Sequence, residues 1–419
     1  MDGAVLHHAK LAVEPRQIRF MTAGSVDDGK STLIGRLLLD SGALMRDQAA
    51  TIEDNPEGLA ELTDGLEAER AQGITIDVAY RSFETPEASF LIADAPGHVQ
   101  YTRNMVTAAS NSDVAVIVID ASGVVDGVLK SQTRRHAAIA ALMGLDLIVA
   151  VNKMDLLDWS EQRFREVERA FLELAASLDI GAVACVPISA RSGDNVVRAG
   201  GAGWWRGPAL IEVINRTRVS RAQANGFLRL PVQTVLRGVQ TRYYAGCVEQ
   251  GEVRPGDRVL VGPQRQAAIV AKVRVGGASV AQASAGAAVT IEFTDEHDVT
   301  RGDVIAGADA RYVRSFSADV CWLDEAALVC GRRYVLRQGT LETQALIEEI
   351  AFVHDVADFS RNVAATALAL NDIARVRVVT RDPVLGDLYT DSPGTGAFAL
   401  FDPQTNQTCG AGMIRETFA

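Results

Sequence analysis

From residue 18 onward the chain alternates short apolar runs with stretches of helical periodicity. Residues 18–23 (Ile-Arg-Phe-Met-Thr-Ala) predict a strand, and 31–39 the start of a helix. Apolar runs at 89–93, 113–119, 146–151 and 182–188 predict further strands, with 113–119 fully buried. Helices are expected over 134–143 and 161–178. Strands alternating with helices in this way imply a parallel-rich sheet with helices on both faces.

The apolar signal lapses over 215–225, where Asn215-Arg-Thr-Arg-Val-Ser-Arg-Ala-Gln-Ala-Asn reads as a linker. Beyond it, short strand-like runs at 230–236, 258–261, 267–275 and 287–293 are divided by turn signals such as Arg254-Pro-Gly-Asp and Arg301-Gly-Asp. Regularly spaced short strands predict a β-barrel. A second change over 308–316 precedes runs at 317–323, 332–337, 341–352, 373–379 and 397–401, which predict a second barrel. The expected organisation is a flexible tail over 1–17, an α/β domain over 18–217, and β-barrel domains over 226–310 and 316–419. A chain of 419 residues accommodates about three domains.

Composition narrows the class. With 48% hydrophobic and 22% charged residues, the chain has the make-up of a folded protein with sizeable cores. The net charge of −12 argues against nucleic acid and against an anionic membrane surface as partner. No apolar run reaches the ~20 residues that span a bilayer, and residues 1–15 lack the apolar stretch of a signal peptide. The five cysteines (185, 247, 321, 330 and 409) form no metal spacing and fit reduced thiols in the cytoplasm. His7 and His8 belong to the tail and make no metal site.

The chemistry concentrates in the first half. Gly24-Ser-Val-Asp-Asp-Gly-Lys-Ser fits G-x-x-x-x-G-K-[ST] between a predicted strand and a predicted helix, the context of a phosphate loop. There the backbone around Gly24, Asp27, Asp28 and Gly29, the Lys30 ammonium and the start of the helix at Ser31 and Thr32 would cradle phosphates. Ser31 would ligate Mg²⁺. Asp94-Ala-Pro-Gly97 ends another strand. Asp94 would hold the ion through water, and the Gly97 N–H would sense a γ-phosphate. Asn152-Lys153-Met-Asp155 ends a third strand. A carboxylate at Asp155 accepts from guanine N1–H and N2–H₂ together, whereas adenine offers neither donor. Ser189-Ala190-Arg191 follows a fourth strand, where its backbone would meet guanine O6. Thr75, between these loops, would complete the Mg²⁺ shell with GTP bound and release on hydrolysis. His98 would orient the attacking water. His136, on the predicted helix, is expected to pack or face solvent, and His297 and His354 carry no partner signal.

At family level the chain resembles the large GTPase subunit of bacterial ATP sulfurylase (sulfate adenylyltransferase subunit 1), within the translation-factor GTPases. The resemblance rests on the phosphate loop continuing to Leu38 and on Asp64-Gly-Leu-Glu-Ala-Glu-Arg-Ala-Gln-Gly-Ile-Thr-Ile-Asp. It continues in Pro96-Gly-His-Val-Gln-Tyr-Thr-Arg-Asn-Met, Gln132-Thr-Arg-Arg-His, Gly193-Asp-Asn-Val-Val, Gly207-Pro-Ala-Leu and Thr395-Gly-Ala-Phe-Ala-Leu-Phe-Asp-Pro-Gln-Thr-Asn. Elongation factors of the Tu type usually have His where this chain has Ser25 and Asp28. The resemblance implies a heterodimer with a small adenylyltransferase subunit that binds ATP and sulfate, driven by GTP hydrolysis on this chain. It implies no sulfate-handling residue here. No second phosphate loop follows Ser31, so a fused sulfate-activating kinase is not expected. The chain departs from the family at Val99 (usually Glu) and Ala95 (often Thr), in a shorter stretch over 48–63 and in a longer connection from Ser122 to Lys130. An aminoacyl-tRNA carrier, or a paralogue serving specialised sulfate activation, would share the same loops.

Overall fold

The structure, a computed structural model, describes residues 16–44, 56–59, 77–98, 101–178, 180–217, 226–238, 241–355 and 360–418. Residues 1–15 of the expected tail, most of the linker, Thr75, Val99 and most of the shortened stretch over 48–63 lie outside these residues, whereas Arg16 and Gln17, placed in the tail by the sequence, already pair in the first strand.

A six-stranded sheet organises the first half. Its strands are β1 (Arg16–Ala23), β2 (Ala79–Glu84), β3 (Ala88–Asp94), β4 (Val114–Asp120), β5 (Asp146–Asn152) and β6 (Ala184–Pro187), in spatial order β2-β3-β1-β4-β5-β6. All neighbours run parallel except the edge strand β2, antiparallel to β3, which the sequence pattern did not announce. The central strand β4 is buried along its whole length. Ala115, Ile117 and Ile119 face one core, and Val114, Val116 and Val118 the other, so a two-residue period underlies the continuous apolar run. Each such Val or Ile contributes roughly 1.5–3 kcal/mol by burial.

Among the described residues five helices cover the sheet: α1 (Lys30–Asp40), α2 (Thr102–Ser110), α3 (Ser131–Leu142), α4 (Glu161–Ser177) and α5 (Leu210–Arg216). Leu33, Ile34 and Leu37 of α1 and Leu210, Ile211 and Ile214 of α5 pack on one face. Met105 of α2, Ala137 of α3, and Phe164, Val167 and Phe171 of α4 pack on the other. These positions follow the helical spacing that buries one stripe. Ser160 caps α4 by accepting from the Arg163 N–H.

Two closed barrels follow. In the first, strands Arg258–Val261, Val304–Ala306, Arg229–Arg237, Arg242–Cys247, Ala288–Phe293 and Gln266–Val275 pair in that order, and the last returns to the first. In the second, Arg333–Gln338, Ala397–Phe401, Thr408–Phe418, Tyr312–Trp322, Ile373–Leu385 and Leu341–His354 close in the same way. The strand Tyr312–Trp322 begins ahead of the expected limit at Phe316. Closure removes the exposed edges that an open sheet presents.

Arg229, which is 4% exposed, ties the barrels together by donating to Asp309 and Asp387 at 2.7 to 3.0 Å. The second barrel also docks on the α/β domain. Tyr389 Oη donates to Met143 O at 2.9 Å and Arg415 Nη2 to Leu142 O at 2.7 Å, both at the end of α3. Arg103 of α2 donates to Leu323 O at 2.9 Å. Cys321, Leu323, Ile373, Tyr389 and Met413 of this barrel complete the same apolar core as α2, α3 and α4.

Candidate functional site

The loops singled out by the sequence follow the C-terminal ends of neighbouring parallel strands. Residues 24–29 follow β1, 95–98 follow β3, 153–155 follow β5 and 189–191 follow β6. In open α/β sheets this edge is where ligands bind.

Glycine is required at two points of the 24–29 loop. Gly24 has φ +150°, and a Cβ there would lie 2.3 Å from Val118 O. Gly29 has φ +92°, and its Cβ would lie 2.4 Å from Asn152 Nδ2. Any larger residue would push the loop off the sheet. Lys30, 8% exposed, bends back so that Nζ donates to Ser25 O at 2.8 Å and Gly24 O at 3.2 Å. Burial pulls its pKa down, while Asp94, Asp28 and Asp27 work in the opposite direction. Gly97 stands over this ammonium, since a Cβ there would approach Nζ to 2.6 Å. Asp94 is buried and accepts from Thr22 Oγ1 at 3.2 Å. Ser31 and Thr32, half-buried, open α1, while Asp27 is exposed with φ 63°.

The two positions that separate this chain from the Tu-type factors have a structural role. Asp28 Oδ2 accepts from Ser25 N at 2.8 Å, and Oδ1 pairs with Lys130 Nζ at 2.6 Å. Ser25 Oγ lies 3.1 Å from Thr133 Oγ1. The lengthened connection ending at Lys130 thus reaches into the loop. These contacts clamp the loop from behind without using Lys30.

On the other side, Asn152 is a staple. Its Nδ2 donates to Asp28 O at 2.9 Å, and its Oδ1 accepts from Ala190 N at 2.9 Å. Lys153, with φ 63°, pairs with Asp120 Oδ2 at 2.8 Å. Burial acts to raise the Asp120 pKa, but the bonds from Lys153 and Ser122 outweigh it and hold the carboxyl below its usual range. Asp155 lies half-buried on the 3₁₀ turn Met154–Leu157. Arg36 of α1 donates to Ala190 O at 3.2 Å and also to Arg191 O, joining the two loops. Ser189 is buried, and its Oγ accepts from Ser192 N at 3.3 Å.

The turn carrying Asp155 is braced by a cluster that the sequence did not reveal. Asp158 and Trp159 both have positive φ, 47° and 51°. Such a pair persists only when its surroundings hold it. Trp204 Nε1 donates to Trp159 O at 2.6 Å, and Gly201 leaves room for the Trp159 ring, which a Cβ would meet at 2.2 Å.

His98 is half-buried at the end of its loop, its ring edge-on to Tyr101 with centroids 6.4 Å apart. Gln132 Nε2 donates to Gly97 O at 3.3 Å. The structure thus brings together Gly24, Lys30, Asp94, Gly97, Asn152 and Ala190. It adds Asp120, Lys130, Thr133, His136 and Trp204, which reach the loops only through tertiary packing. His136 is buried, as one of its two expected placements had it.

Loops of this kind on this sheet define a nucleotide-binding domain of the elongation-factor class. Residues 15–237 match the elongation factor Tu GTP binding domain, and residues 315–415 match the GTP-eEF1A C-terminal domain-like family. The chain is 44% identical over 414 residues to the bifunctional enzyme CysN/CysC of Mycobacterium tuberculosis, covering 95% of this chain and 67% of that protein. It is 43% identical over 416 residues to sulfate adenylyltransferase subunit 1 of Vibrio vulnificus, covering 96% of this chain and 86% of that one. It is also 43% identical over 411 residues to the bifunctional enzyme NodQ of a Rhizobium species, covering 95% of this chain and 63% of that one. The chain belongs to the sulfate adenylyltransferase subunit 1 family, the GTPase subunits of ATP sulfurylase. Among the described residues no helix is long and apolar enough to cross a membrane.

Proposed function

We propose that this chain binds and hydrolyses GTP at these loops, and that hydrolysis drives adenylyl transfer to sulfate on a small partner subunit in the cytoplasm. The observation that carries the reading is the buried Lys30 ammonium in a glycine cradle, beside Gly97 and stapled through Asn152 to the Ser189–Ala190–Arg191 loop. Among the described residues the hydrogen bonds of this buried cation go to carbonyl oxygens, an arrangement that fits a polyphosphate guest.

In this reading the backbone around Gly24, Asp27, Asp28 and Gly29, with Thr32, cradles the phosphates. Lys30 stabilises charge on the β- and γ-phosphates, and the Gly97 N–H meets the γ-phosphate. Asp155 reads the guanine, flanked by the Lys153 stem, with Ala190 and its neighbours at O6. His98 orients water for in-line attack. Ser31, Thr75 and Asp94 (through water) would hold Mg²⁺, which supplies charge neutralisation at the phosphates. On the partner, a sulfate oxygen attacks the α-phosphorus of ATP, forming adenosine 5′-phosphosulfate and releasing pyrophosphate. That equilibrium lies toward ATP, so an energy source must pull it forward. The second barrel contacts α2 and α3, which flank Gly97, and offers a route from the nucleotide to the partner. The domain limits 18–217, 226–310 and 316–419 belong to this proposal.

The test is GTP turnover by the chain alone and with its cognate small subunit, ATP and sulfate. Stimulation of roughly tenfold or more is expected. Stimulation by charged tRNA and none by the small subunit would contradict the reading.

A further inference from the structure

We infer that His136 is a positioning residue of the phosphate loop, acting through Gly24 on Lys30. It lies on α3, a different element from any of the nucleotide loops, and is fully buried. The Gly24 backbone N–H donates to its Nδ1 at 3.1 Å. A backbone N–H can only donate, so Nδ1 carries no proton and the ring proton sits on Nε2. Among the described residues Nε2 has no hydrogen-bond partner. A leucine or methionine would fill the space without the unpaired Nε2–H but would leave the Gly24 N–H without its acceptor, so the imidazole is explained by its acceptor and not by packing.

The acceptor matters because of what Gly24 does next. Its carbonyl, with that of Ser25, holds Lys30 Nζ. Ser25 is fixed from the same helix face by Thr133, three residues before His136. Helix α3 thus holds both residues whose carbonyl oxygens aim the ammonium, Gly24 by its N–H and Ser25 by its hydroxyl. Burial, reinforced by the charges of Lys30 and Arg135, pushes the imidazole down to about 3, so the acceptor persists at physiological pH.

The inference rests on the guanine-nucleotide reading of the site, and its test separates the two. Affinity for a fluorescent GDP analogue is measured for the wild type, His136→Leu and His136→Asn, together with the melting temperature. The asparagine Oδ1 replaces Nδ1 as acceptor, whereas leucine has similar bulk and no acceptor. His136→Leu is expected to weaken GDP binding about tenfold or more. His136→Asn is expected to bind close to wild type, even where both variants lose similar thermal stability. Equal weakening in the two, or none in His136→Leu, overturns the role. Should His136→Leu not fold, His136→Asn is compared with His136→Gln, whose acceptor is one bond further out. Gln is then expected to bind less tightly, and equal affinities overturn the inference. A wild type that binds no GDP overturns the nucleotide reading itself.

Discussion

A Lys30→Ala variant is expected to lose GTP hydrolysis by about 10²–10³-fold or more, the effect of removing one preorganised charge from a phosphoryl-transfer site. The cation is already desolvated in the cradle, so its field at the phosphates is weakly screened. Lys130, the cation on the opposite side of the loop, cannot substitute, because its Nζ is paired with Asp28 at 2.6 Å. Phosphate release under single-turnover conditions reads the effect directly. Unchanged turnover would remove the phosphate-loop assignment. Intact nucleotide binding with lost turnover would place the role of Lys30 in the transition state.

The second large effect is one of base specificity. Asp155→Asn replaces an acceptor-only group with one that also donates. It should turn preference from GTP toward XTP, because the amide can donate to the xanthine oxygen that replaces the guanine amino group. Hydrogen-bonding sites of this kind discriminate by factors of the order of 10⁴, so a large share of GTP affinity should vanish while XTP affinity appears. The scaffold should survive, since the turn is held by Trp204 and Lys153, not by the Asp155 carboxylate. Competition of GTP and XTP for the variant is the measurement, and persisting GTP preference would show that Asp155 does not read the base.

Much of this architecture was legible in the chain because burial on both sheet faces leaves continuous apolar runs. The runs at 113–119 and 146–151 match β4 and β5 within a residue at either end. What escaped reading did so for physical reasons. The strand Thr408–Phe418 carries Gly410 and Gly412, because a Cβ at Gly412 would lie 2.2 Å from the Phe398 ring and one at Gly410 would lie 3.2 Å from Trp322. Packing of those aromatics removes the side chains that would have marked the strand. Arg242–Cys247 lost its signal similarly, with a Cβ at Gly246 2.2 Å from Pro231 O. The edge strand Ala79–Glu84 buries only Phe83 fully and so lacks an apolar run.

In the site, the residues that form the loops declare themselves by spacing, because each motif is local. The residues that hold the loops do not. Trp204 braces a turn 45 positions before it, and His136 bonds to a residue 112 positions away. Only the folded chain gives a helical histidine an address. The difference between this chain and the Tu-type factors at Ser25 and Asp28 was visible in the sequence, but its meaning was not. Asp28 receives Lys130, at the end of the connection from Ser122, and Ser25 receives Thr133 on α3.

GTP hydrolysed at Lys30 is expected to drive chemistry on another subunit. The most direct measurement is the yield of adenosine 5′-phosphosulfate from ATP and sulfate by the complex with its small subunit, with and without GTP. A yield well beyond the GTP-free equilibrium is expected when GTP is present, and no gain when the complex carries Lys30→Ala. Equal yields with and without GTP, from a complex that hydrolyses GTP normally, would contradict it.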